Sequence, residues 1–235
     1  MQVKDYNGML RMTAVGSAVI LFLCFIYLKY QTGIFDNFIK EFPSVEVEIK
    51  GVKLSTTYIL PPLVWMFISL SIRVHDRISD LFKIRKNFDC NHILLPFTQK
   101  LNIPLNDTKK LKLFKNREDL MAKIFYKYAD STKTESEDNI SPHLIHKALN
   151  NWAYFWILLE GQIFIGITII IYICQKDWKN MLITLIVLIL TLLIQFLIYK
   201  DAKKIVNQEI NAILALKNGE YKERIKKEIK HALQN

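Results

Sequence analysis

Cysteine, proline and glycine are all scarce in this 235-residue chain, at three, six and seven residues. Cys24, Cys90 and Cys174 stand far apart, two of them within apolar runs, which excludes a disulfide-stapled scaffold and leaves them as small apolar side chains. The shortage of Gly and Pro disfavours a loop-rich β fold. No Gly-rich phosphate loop, G-x-S-x-G elbow, H-E-x-x-H helix or paired-aspartate metal motif occurs. No enzyme and no cofactor is expected.

Two facts fit together only if residue types are segregated: 51% of residues are hydrophobic, yet the formal charge is +10. Long stretches carry no charge, while Lys and Arg crowd between and after them. A membrane-crossing helix needs about 20 apolar residues to match a hydrocarbon layer of about 30 Å. Four runs qualify, over residues 12–30, 56–74, 152–174 and 181–199. The second carries Pro61-Pro62 near its start. The last two are joined only by QKDWKN, so they are expected as antiparallel neighbours. Tyr27, Tyr30, Trp152, Tyr154, Trp156, Tyr172, Trp178 and Tyr199 fall near the ends of these runs, where amphipathic rings favour the headgroup layer. No small-x-small cleavage site follows the first run, so it is expected to be retained. The expected fold class is an all-α membrane protein with four transmembrane helices.

Charge sets the expected direction. Residues 75–150 hold 14 Lys/Arg against 10 Asp/Glu, and the tail from Lys200 holds 9 against 5. Residues 31–54 hold only Lys40, Lys50 and Lys53, beside four acids. The positive-inside rule then places the N-terminus (1–11), the segment 75–150 and the tail 200–235 on the cytoplasmic side.

In the outer loop (31–55), Gly33–Phe42 has the pattern of a short amphipathic helix. After Pro43 the alternation Val45, Val47, Ile49, then Val52 and Leu54 around Lys50-Gly51, predicts a short β-hairpin. The cytoplasmic segment begins as a helical extension of the second span, in which Arg73 can pair with Asp76, and Arg77 with a neighbouring acid. A helix is expected over Arg117–Ala129 with Leu120, Ile124, Phe125 and Tyr128 buried. DSTKTESEDN reads as an exposed loop. Ser141-Pro142 opens a helix that continues into the third span. The tail extends the fourth span as a basic amphipathic helix ending at Asn218-Gly219, followed by a second piece with Tyr221, Ile225, Ile229 and Leu233. That tail either packs on the segment 75–150 or another subunit, or lies on anionic lipid.

Glu160, flanked by Leu158-Leu159 and Gly161-Gln162, is an ionisable residue inside a span, at a cost of about 3 kcal/mol on insertion scales. Such a side chain faces protein or water. Gln195 falls at similar depth on the neighbouring span, so the two can hydrogen-bond. Three roles stay open for Glu160: a protonated interhelical link, the lining of a pore, or a proton-coupled function. Cys90, His92, His143 and His146 offer a C-x-H and an H-x-x-H pair, a spacing unlike usual structural zinc sites, and no metal is expected. Arg85 and His92, with six residues between them, match the loose R-x(4–6)-H pattern of HEPN-type ribonucleases, but Lys86 stands where a polar residue commonly follows that Arg. Direct nucleic-acid binding is not expected, since the basic segment lacks an aromatic platform.

The stretch HDRISDLFKIRKNFDCNHILLPF, residues 75–97, resembles a region of small multi-pass membrane proteins from bacterial antiphage defence loci, including retron-associated effectors. That resemblance implies oligomerisation, and membrane permeabilisation or depolarisation once a cytoplasmic protein or nucleoprotein partner, encoded nearby, signals infection. From the residues alone, four short spans cannot enclose a transporter cavity in one chain, so a homo-oligomer is expected. Glu160 and Gln195 are the candidate lining residues, and Arg73, Asp76, Arg77 and Asp80 the candidate coupling residues. The alternative is a non-conducting membrane sensor or scaffold that recruits a soluble defence partner.

Overall fold

The computed structural model describes residues 3–32, 46–49, 52–136 and 138–234. Helices dominate the described residues, and they fall into two compact units. One comprises Met1–Met9, Asp76–Trp152 and Tyr199–Asn235; the other comprises Leu10–His75 and Ala153–Ile198.

Among the described residues, three helices are long and apolar enough to cross a membrane. They are α1 (Tyr6–Thr32), α8 (Pro142–Cys174) and α9 (Trp178–Ala215). Each is longer than the apolar run inside it because its polar flanks also have helix-compatible composition. The fourth run behaves differently. Helix α2 (Thr56–Ile72) stops before the residues expected to prolong it, since Arg73 takes a left-handed conformation with φ 49°. Helix α3 (Val74–Leu81) then leaves at a bend of 64°. The expected continuous extension of the second span is therefore broken at Arg73, and the total is four crossings only if this bent pair counts as one.

Between α1 and α2, Glu46–Ile49 (β1) and Val52–Ser55 (β2) run antiparallel, with Glu46 opposite Ser55 and Ile49 opposite Val52. The expected turn at Lys50-Gly51 and the amphipathic stretch Gly33–Phe42 lie outside the described residues.

The surface of α9 explains itself. Leu182, Ile186, Leu190, Leu193, Phe196 and Leu197 are all more than half exposed, on a helix with no Asp, Glu, Lys, Arg or His between Lys179 and Lys200. In water such a face would be a liability; against hydrocarbon it is the required solvent contact.

The other unit has a conventional helical core. Its elements are α4 (Ile84–Phe88), α5 (Leu95–Lys100), α6 (Asp107–Lys115), α7 (Arg117–Met121) and the ends of α8 and α9. Helix α10 (Glu220–Gln234) completes it, after a 3₁₀ turn that closes on Gly219 at φ 91°. Phe97, Leu113, Leu120, Ile124, Ile210 and Ile213 meet Ile225 and Ile229 of α10 in one cluster. The expected helix over 117–129 carries its buried face on Leu120, Ile124, Phe125 and Tyr128, although Ala122–Tyr126 winds as a π-helix. The polar loop after it is organised by buried Asn139, whose side chain accepts from the Asp130 N–H at 2.9 Å and donates to the Asp130 carbonyl at 3.1 Å.

Of the two destinations open to the tail, α10 takes the first. Its apolar stripe Tyr221, Ile225, Ile229 and Leu233 is buried in this core. Its last carbonyls are held by side chains of the same unit: Asn116 Nδ2 donates to the Ala232 oxygen at 2.9 Å and Lys112 Nζ to the Gln234 oxygen at 3.2 Å. Those bonds replace the intrahelical partners that a helix end lacks. Truncating Ile229, which has no exposed surface, to alanine is expected to cost about 2–4 kcal/mol. The exposed Lys230→Ala change should stay within about 0.5 kcal/mol of wild type in the same thermal melt.

Candidate functional site

Polar side chains inside the apolar helices mark the candidate site, and backbone proximity builds it. A Cβ placed on Gly16 of α1 would sit 2.5 Å from Ile157 Cδ1, and one placed on Gly161 of α8 would sit 2.5 Å from Ile20 Cδ1. The two glycines thus each receive an isoleucine of the facing helix. Partner numbers rise together, 16 with 157 and 20 with 161, so α1 and α8 run parallel at this contact. Small residues permitting close approach are the usual means of packing helices in lipid, where no hydrophobic gain separates one apolar surface from another.

That contact encloses a polar seam. On α1, Thr13 and Ser17 are one turn apart and buried. On α8, Trp156, Glu160, Phe164, Thr168 and Tyr172 recur every fourth residue and are all buried. From α2, Trp65 Nε1 donates to Ser17 Oγ at 2.9 Å, while its ring stands edge-on to Phe164 at 4.8 Å. Glu160 has no exposed surface, and neither of its carboxylate oxygens has a hydrogen-bond partner among the described residues. Thr13 Oγ1, Gln162 Nε2 and the Tyr172 hydroxyl are buried and unpartnered as well. Twelve residues of α8, about 18 Å of helix, separate Glu160 from Tyr172.

Beside the unpartnered Tyr172 hydroxyl, the far end of the seam holds a hydrogen-bonded network. Tyr27 packs edge-on to Tyr172 at 5.8 Å and donates its hydroxyl proton to Asn180 Oδ1 at 3.0 Å. Asn180 Nδ2 donates in turn to Asp177 Oδ2 at 2.7 Å and to Gln31 Oε1 at 3.4 Å.

The expected Glu160–Gln195 bond is not formed. Gln195 is buried on α9, but Glu160 lies on the α8 stripe that includes Phe164, which meets Trp65 of α2. Matching depth fixes height along a helix, not the face, and the glycine contact decided the face. The residues that sequence reasoning missed are Thr13, Ser17, Trp65, Thr168 and Asn180. The Gly16-Ser17 and Glu160-Gly161 pairs were the available signal, since small residues beside polar ones mark a helix–helix seam.

The other expected residues are dispersed. Asp76 accepts from the Tyr6 hydroxyl at 2.8 Å. Arg73 and Asp80 form no ion pair among the described residues, because the break at Arg73 removes the helical spacing that was to join Arg73 to Asp76. Arg85 donates to the Tyr126 hydroxyl at 3.0 Å, whereas His92 Nε2 lies 3.2 Å from the Tyr199 hydroxyl, so the two residues of the ribonuclease-like spacing serve different partners. Cys90, His92, His143 and His146 do not assemble, and no group of three metal-ligating side chains occurs among the described residues. Beside Arg85, buried Asp89 opens a π-helical segment (Asp89–Leu94) and pairs with Arg117 at 3.1 Å. Burial pushes its carboxyl up to about 6, against the pull of Arg85 and Arg117.

One further carboxylate escaped the sequence reading. Glu209 of α9 is buried, and burial pushes its carboxyl up to about 8.

The molecule defined by these features has three long apolar helices compatible with a membrane protein and a separate helical core. Residues 5–231 match the model of the YmfE protein family, and the chain belongs to that family. Neither the curated proteins nor the solved structures contain a match.

Two measurements follow from this geometry. Gly161→Val should lower the melting temperature in detergent clearly, because Ile20 already fills the space. Gly166→Val, with nothing within 4 Å of the added Cβ, should melt near wild type. For Glu209, the folded state keeps a proton that the unfolded chain releases, so stability falls as pH rises from about 4.5 to about 8. Glu209→Gln should therefore gain stability over wild type progressively across that window, with little difference at pH 4, as read by melts at each pH.

Proposed function

We propose that this protein is an oligomeric effector of bacterial antiphage defence. In this reading it sits in the inner membrane with four crossings and both ends cytoplasmic, and depolarises the membrane when its cytoplasmic part is triggered. The observation that carries the reading is Glu160, a fully buried carboxylate with both oxygens unpartnered, on helices that also hold the orphan polar atoms of Thr13, Gln162 and Tyr172. Buried polar atoms without protein partners call for water or an ion. A carboxylate that can take up and release a proton, beside hydroxyl groups along a seam, is chemistry for moving protons or small cations.

The protein's own residues supply the remaining parts. Glu160 is the exchangeable proton carrier, Thr13 and Ser17 are hydroxyl relays, and the Tyr27–Asn180–Asp177 network is the polar end. Support for a defence role comes from the likeness of residues 75–97 to membrane proteins of such loci. Support for membrane residence comes from the bare apolar surface of α9.

The test is expression of the full chain with its genomic neighbours, triggering, and recording of a potential-sensitive dye. Wild type should depolarise the cells. Glu160→Gln should keep normal membrane levels and lose at least tenfold in the rate of depolarisation. Wild type that never depolarises under any trigger would sink the conducting role and leave the non-conducting scaffold. A fully active Glu160→Gln would remove the proton-carrier role.

A further inference from the structure

The corner that follows α2 carries a feature that neither the seam nor the core uses. Helix α3 is bracketed by two left-handed residues, Arg73 at φ 49° and Lys83 at φ 53°. Its inner face is His75 and Ser79, both buried, and Ser79 Oγ accepts from the Arg85 N–H at 3.2 Å. At its end Leu81 and Phe82 are 75% and 66% exposed. Adjacent large apolar side chains at that exposure need a partner that is not water.

The surroundings identify the partner. The exposed apolar surface of α2 (Leu63, Phe67, Leu70) continues to Ile72, at 48% exposed, immediately before α3. With 17 residues, α2 is about 26 Å long, short of a hydrocarbon layer of about 30 Å, and a short span draws its flanks toward the bilayer. Leu81 and Phe82 follow the last residue of α2 by only nine and ten residues, so they belong to the flank of that short span. Residues 72–88 hold five cations, Arg73, Arg77, Lys83, Arg85 and Lys86, against two acids, Asp76 and Asp80. A surface of that sign repels a second copy of itself and attracts anionic lipid.

We propose that the Leu81-Phe82 corner is an interfacial anchor that seats in the anionic headgroup layer, its apolar pair inserted and the flanking cations on lipid phosphates. The proposal rests on α2 lying in the bilayer, and its test separates the two. The full chain with Cys174→Ser receives a nitroxide at Phe82→Cys, Phe67→Cys or Leu111→Cys. Cys90 is buried and Cys24 half-buried, so the Cys174→Ser parent sets the labelling background. Each protein is placed in vesicles of phosphatidylcholine and phosphatidylglycerol, and collisions with oxygen and with a water-soluble nickel chelate are compared.

Position 67, on an exposed face of α2, is the bilayer reference; position 111, 70% exposed on Lys-rich α6, is the aqueous one. The ratio of oxygen to nickel collisions at position 82 is expected to fall between the two references, several-fold above position 111. A ratio at 82 equal to that at 111, with 67 in lipid, overturns the anchor alone. Shielding of 82 from both reagents means a protein cover and also overturns it. An aqueous signature at 67 overturns the anchor together with the span beneath it.

Discussion

Inside a bilayer a polar atom cannot turn to water, so each one either finds a protein partner or requires an internal solvent of its own. The apolar-helix unit is arranged around that constraint. Its glycines bring α1 and α8 close enough that Thr13, Ser17 and Glu160 are hidden from lipid, and α2 contributes Trp65 to close the seam. The arrangement shields polar atoms without satisfying all of them. Asn180 is bonded to Tyr27 and Asp177, whereas the Glu160 carboxylate and the Tyr172 hydroxyl have no partner among the described residues.

The second unit obeys the opposite solvent rule. There the apolar stripe of α10 has been taken up by Leu113, Ile124 and Ile210, and the lysines of α10 remain on the water side. A basic amphipathic helix can serve lipid or a core, and the decision turns on whether a matching apolar surface exists elsewhere in the chain. Here α6, α7 and the end of α9 provide one. Side-chain donors from Asn116 and Lys112 then hold the last turn of α10, so docking and capping come from the same neighbours.

How much of this was legible in the sequence depends on the range of the interaction. The long apolar helices were readable, because bilayer thickness imposes a length that composition reveals. The helix from Pro142 through α8 and the buried face at Leu120, Ile124, Phe125 and Tyr128 were readable for similar reasons of period and capping. Arg73 was not, since nothing in its side chain announces a left-handed backbone; the sharp turn is imposed by the segments on either side. The partner of Glu160 was misread because connectivity by the short QKDWKN turn implied that α9 would receive it. A short turn guarantees that α8 and α9 are neighbours, but a helix has more than one side, and Gly161 offered a closer approach to α1.

The two buried carboxylates Glu160 and Glu209 make the same point from the other direction. Glu160 stands out in sequence because it is the one charged residue between Lys147 and Lys176. Glu209 sits in VNQEIN, among polar residues that make any acid look solvated, yet its place on the face shared with Ile205 and Val206 buries it. Burial of Glu209 is therefore a tertiary fact, and the proton it holds costs stability progressively as pH rises from about 4.5 to about 8. Glu160 is different in kind. Of the two, only Glu160 lies within a long apolar helix whose facing helix carries the buried hydroxyl groups of Thr13 and Ser17, and that setting, rather than burial alone, is what the proposed role rests on.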